Sequence, residues 1–192
     1  MKFRRGRVLW IGVGGAMLSV GILLFSCGPT SPGKSSPLLS EMVITNQISG
    51  WAPVGNPINF VESTIINVVD GGSTGYCGTC SLSTLKAGFQ QIMSKSQSAD
   101  LLKLLVIDYG TTANAAAEFD KKVQGSSWTT ENSLSPYSAS ELFYTSNSDG
   151  INLRSHFNNF YVEFQFTAYD SGAQSVPDAS AFINYLHSKI VQ

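Results

Sequence analysis

Three cysteines carry most of the chemistry the sequence offers: Cys27, Cys77 and Cys80. The last two stand two residues apart in Tyr76-Cys77-Gly78-Thr79-Cys80. Thiols at that spacing can close and reopen an intramolecular disulfide, with the thiolate as the reactive form. A plain structural staple is the other reading. It is a weak one, because closing so short a loop removes little entropy from the unfolded chain. Covalent haem attachment is disfavoured, since Ser81 rather than His follows Cys80. His187, close to the C-terminus, reads as a complement to a helix dipole. Asp70 could relay protons to the thiols, although an acid in a loop is ordinarily only solvated. The sequence contains no zinc-protease motif, nucleophile elbow or phosphate-binding glycine loop.

The pattern around the cysteines supplies elements to position them. Thr64 to Val69 is a β-branched run that predicts a buried strand, closed by the glycine-rich loop from Asp70 to Gly75. Leu82, Leu85, Phe89, Ile92 and Met93 then recur at spacings of three and four, which predicts an amphipathic helix from about Cys77 to Lys95, weakened by Gly88. Leu101 to Ile107, broken only by Lys103, predicts a second buried strand. Thr112 is placed to cap a helix from Ala113 to about Gln124, with Ala116, Phe119 and Val123 inward. Leu142 to Tyr144 reads as a short strand. Phe160 to Thr167 alternates apolar residues with Glu163 and Gln165, a strand signal. Pro177 opens a last helix with Ala179, Phe182, Ile183, Leu186 and Ile190 on one face. Upstream, Met42 to Ile44 is a candidate strand and Gly50 to Pro53 a turn. A strand–helix–strand unit calls for parallel pairing with a right-handed crossover.

A strand from Ile65 to Val69 that feeds Cys77-Gly78-Thr79-Cys80 and then a helix resembles the thioredoxin superfamily, in particular its membrane-tethered envelope oxidoreductases and redoxins. The likeness spans roughly residues 42 to 192. It implies an α/β fold, a central mixed sheet flanked by helices. It also implies that Cys77, at a helix N-terminus, attacks protein disulfides and that Cys80 resolves the mixed disulfide, with no cofactor. Partners would be protein thiols or disulfides of the envelope. Tyr76 stands where that family usually has Trp, and no proline falls near Tyr161, where the family places a cis-proline facing the cysteines. The alternatives are copper-binding chaperones of the same superfamily, whose two cysteines and distant histidine the resemblance would place at Cys77, Cys80 and His156, a thiolate and imidazole set that suits copper, and a non-catalytic binding protein of that fold using Trp51, Trp128 and the serine-rich stretch 126–140.

The N-terminus reads as an export signal. Lys2, Arg4, Arg5 and Arg7 precede an uncharged apolar run from Val8 to Phe25. The run ends Leu24-Phe25-Ser26-Cys27, which resembles the lipobox of bacterial lipoproteins and implies lipidation (palmitate among the chains) at Cys27. An uncleaved anchor is the alternative, since about 18 apolar residues can just span a bilayer. Either places the rest in the cell envelope, facing the periplasm or the exterior. The expected layout is a signal peptide over 1–26, a lipidated tether rich in Pro, Ser and Gly over 27–41, and one domain over 42–192. Without residues 1–26 the chain has eight basic and thirteen acidic residues, a net charge of −5. That balance, with no basic cluster, argues against nucleic acid as a partner.

Overall fold

The computed structural model describes residues 38–69, 80–124, 128–130, 142–147, 150–167 and 172–191. The chain divides into two compact units, Met1–Ser35 and Ser36–Gln192, and the described residues all belong to the second.

Among them, eight strands build one sheet: β1 (Trp51–Pro53), β2 (Ile58–Phe60), β3 (Ala87–Lys95), β4 (Leu101–Asp108), β5 (Thr129–Thr130), β6 (Leu142–Asn147), β7 (Gly150–Phe157) and β8 (Phe160–Thr167). Three helices accompany them: α1 (Ile65–Val69), α2 (Thr112–Val123) and α3 (Gly172–Ile190). The spatial order is β1-β3-β4-β8-β7-β6-β5, and β2 shares the outer edge of β3 with β1. Every pairing is antiparallel.

The strands at the centre are buried on both faces, so their sequences are apolar in both phases of the pleat. Leu102, Leu104 and Val106 of β4, Val162, Phe164 and Phe166 of β8, and Ile151 and Leu153 of β7 face one core. α3 closes that core with Ala179, Phe182, Ile183, Leu186 and Ile190, and the segment carrying Met42, Ile44 and Ile48 covers the rest. Gln91 of β3 fastens this segment. Its carboxamide accepts from Ile44 N (3.1 Å) and donates to Ile44 O (2.6 Å), which satisfies both buried backbone groups. The opposite face holds a smaller core of Phe60, Ile65, Leu85, Leu105, Ile107, Tyr109, Ala115, Phe119 and Tyr161. α2 lies over it, capped by Thr111, whose hydroxyl accepts from Asn114 N at 3.2 Å.

The thioredoxin-like α/β expectation is corrected by this architecture. Ile65–Val69 is one short helix rather than a strand. The stretch read as a helix after the cysteines is instead a one-turn 3-10 segment, Leu82–Thr84, followed by β3. Among the described residues a helix stands where the first strand was expected and a strand where the helix was, so the expected crossover is replaced by an antiparallel hairpin of β3 and β4. Upstream, Leu39–Met42 is a 3-10 turn and Trp51–Pro53 a strand. The expected strands at 101–107, 142–144 and 160–167 are present. The α2 cap falls one residue earlier than expected, and α3 begins at Gly172 rather than at Pro177.

Candidate functional site

Of the residues singled out for chemistry, Cys27, Asp70 and Cys77 lie outside the described residues. Cys80 is half-buried against the α2-side core, where the chain enters the 3-10 turn. Ser81 N donates to the buried carboxylate of Glu118 on α2 at 3.0 Å, which holds this entry in place. From Cys80 onward the described chain runs through the 3-10 turn into β3 rather than into the amphipathic α-helix expected there. The oxidoreductase assignment, and the copper-chaperone and non-catalytic alternatives as members of the same fold, rested on a thioredoxin-like sheet and are corrected by the antiparallel one. His156 is on β7, its ring 5.2 Å from that of Phe119. Among the described residues no three His, Cys, Asp or Glu side chains gather as a metal site. His187 lies in the last turn of α3, edge-on to Phe157 at 5.4 Å. Trp51 is core, wedged edge-to-face against Phe166 and Phe182.

The polar chemistry gathers elsewhere. On the α2 side, the sheet is apolar beneath the helix and polar beyond its C-terminal end. Register places the polar side chains in two rows across β4, β8 and β7. Leu105 pairs with Glu163 and Glu163 with Arg154; one step along, Lys103 pairs with Gln165 and Gln165 with Asn152. With Val69 and Trp128 these six residues line a cavity of about 270 Å³.

The two rows differ in how far they are satisfied internally. Arg154 Nε donates to Glu163 Oε2 at 2.9 Å, and Tyr161 Oη donates to the same oxygen at 2.8 Å. A further nitrogen of the guanidinium donates to Lys122 O at the end of α2, and its carbon lies 4.2 Å from the Trp128 ring centroid. A guanidinium stacked on an indole and tied to a carboxylate is well fixed, because its planar fork is already organised for both contacts. In the second row the Lys103 ammonium makes one long contact, to Val69 O at 3.5 Å, and meets no carboxylate among the described residues. The Asn152 and Gln165 carboxamides are half-buried and make no side-chain hydrogen bond among the described residues. One row is a finished network, and the other presents an ammonium and two carboxamides to the cavity.

The sequence carried traces of this site. Lys103 is the sole polar break in a run otherwise fit for a core, and Glu163 and Gln165 are the polar phase of an alternating strand. Asn152 and Arg154 lie on β7, whose own alternation of Ile151, Leu153 and Phe157 was the available signal.

No family model and no curated protein matches the chain. Among solved structures it is similar to the crystal structure of the extracellular domain of PknH from Mycobacterium tuberculosis. The identity is 16% and the TM-score 0.49, over 79% of this chain and 98% of that one.

Proposed function

We propose that the chain is an extracytoplasmic binding domain, held to a membrane by lipid on Cys27, that captures a small polar ligand on the open half of its sheet. The observation that carries this reading is the cavity beside α2. It is concave, has an aromatic wall at Trp128, and has polar groups on its floor that the described residues leave largely unused. Binding sites commonly combine an apolar or aromatic wall with a few placed polar groups, and about 270 Å³ suits a small ligand. The export side rests on the basic n-region, the apolar run and the small residue before Cys27. The acidic balance beyond residue 26 keeps nucleic acid off the list of ligands.

Two experiments test it. The isotope-labelled full chain in detergent micelles is titrated with a set of small polar compounds and followed by amide NMR. Perturbations clustered at Lys103, Trp128, Asn152 and Gln165 are expected; a set that perturbs none of them overturns the binding site. Metabolic labelling with a palmitate analogue is expected to mark the wild type and not Cys27→Ala, and labelling that persists in the variant removes the lipid tether.

A further inference from the structure

The unused row dictates what it can hold. Neighbouring strands are about 4.8 Å apart, so the line from Lys103 through Gln165 to Asn152 is about 10 Å long. It offers a positive point charge at one end, then two groups that each donate and accept. Lys103 is half-buried with one long contact for its ammonium among the described residues, and a partly desolvated charge in that state gains from an anion. Phosphate suits the cavity poorly. The one guanidinium able to clasp it is committed to Glu163, Trp128 and Lys122 O, and the Glu163 carboxylate one row away opposes a second negative charge. A single negative charge followed by amide groups fits better. A carboxamide pairs with an amide through one donor and one acceptor. An extended peptide advances about 3.5 Å per residue, so two residues span most of the row.

Resting on the binding-domain reading above, we propose that this row recognises a carboxylate followed by an amide, the chemistry of a peptide C-terminus or an N-acyl amino acid. Lys103 takes the carboxylate. Gln165 and Asn152 take the amides. Val69, Leu105 and Trp128 form the apolar surround for the ligand's side chains.

The test is calorimetric titration of the full chain in detergent micelles with N-acetyl-alanyl-alanine as the free acid and as its C-terminal amide. The acid should bind at least about tenfold more tightly than the amide, which is about 1.4 kcal/mol. Lys103→Met should remove the preference for the acid over the amide, whereas Lys103→Arg should keep it. Asn152→Leu and Gln165→Leu should weaken both ligands. Thermal melts of each variant separate lost binding from lost folding. N-acetyl-alanine binding as well as the acetylated dipeptide would assign a free small molecule, and tighter binding of the dipeptide would assign a peptide end. Equal affinity for acid and amide, or a Lys103→Met variant that still prefers the acid, overturns the proposal. If neither probe binds while other compounds still perturb the cavity by NMR, the carboxylate assignment falls and the binding-domain reading stands. If nothing perturbs the cavity, both fall.

Discussion

At Gly88, in β3, an added Cβ would lie 2.5 Å from ring atoms of Phe60 and 2.5 Å from the carbonyl oxygen of Val106. Phe60, on β2, is itself buried, so its ring has little room to retreat, and the carbonyl belongs to the central strand β4. The glycine lets an aromatic side chain lie flat across the strand and occupy the space a side chain would take. Gly88→Ala should therefore destabilise the protein by about 1–3 kcal/mol, the usual cost of overpacking. Thermal and urea unfolding measure it, and a variant as stable as the wild type would show that β2 is not held as described. The same residue explains a misreading, since a mid-helix glycine is merely weak whereas a glycine in a strand marks close approach. Lys103 carried a similar double meaning. In a run of core residues it looked like a tolerated interruption, and only the register of β4 against β8 places it beside Gln165 rather than in open solvent.

At the scale of elements, legibility followed how far one period dominated each segment. β4 is a nearly unbroken apolar run, β8 alternates and α2 repeats every three to four residues, and all three were readable. β3 was not, because its apolar residues fall at a spacing that belongs to another element. Phe89 and Met93 are buried on the α3 side, and Ile92 on the other face completes a spacing that imitates a helix. Leu82 and Leu85 extended the imitation from a separate turn. α1 is short and rich in β-branched residues, and local bonds make it helical. Thr64 Oγ accepts from Val61 N at 3.1 Å, and Ile65 N donates to Val61 O at 3.0 Å. The polar site depended on β7 and on strand register, neither of which one-dimensional periodicity supplies.

Two fastenings between elements yield predictions. Gln91→Leu keeps the volume but strands the buried N–H and C=O of Ile44, at about 1–3 kcal/mol for each group. Urea unfolding should register the loss, and hydrogen exchange at Ile44 should quicken before that at Leu104; unchanged exchange would mean that the carboxamide is dispensable. Lys95 Nζ bonds Asp178 Oδ2 at 2.6 Å and joins β3 to α3. The hydrogen bond to Asp178, partly opposed by desolvation, raises the Lys95 pKa above the ordinary 10.5. A base whose folded-state value is raised contributes its stability fully below the unfolded-state value and loses it as pH rises through the folded-state one. Both side chains are partly exposed, at 33% and 25%, so the pair is worth no more than about 1 kcal/mol. Asp178→Asn should be slightly less stable than the wild type at neutral pH and equal to it in strong alkali, and a deficit that persists there would assign the effect to packing.

Over the whole described unit, one sheet serves two cores. β4 sends Leu102, Leu104 and Val106 into the α3-side core and Leu105 and Ile107 into the α2-side core, and β8 divides its residues likewise. Neither core can dissolve without withdrawing support from the backbone that carries the other. The two layers should therefore unfold together, as single domains of this size usually do. Phe182→Ala on α3 and Phe119→Ala on α2 each remove a buried ring and should each cost about 3–5 kcal/mol. The discriminating observation is made on amide signals from Ala179 in one core and Ala115 in the other, followed through urea. In the wild type the two signals should share a midpoint, and each substitution should shift both by the same amount, although only one touches the layer being watched. A substitution that moved only its own layer's signal would mean that the faces melt independently. The cavity beside α2 would then rest on a layer able to open without disturbing α3. Coincident shifts would instead mean that the floor at Lys103, Gln165 and Asn152 is held rigid by packing on the far side of the sheet. Each of those residues stands next in its strand to side chains anchored in the α3-side core, so a ligand would meet the row with its geometry already set and little ordering entropy left to lose.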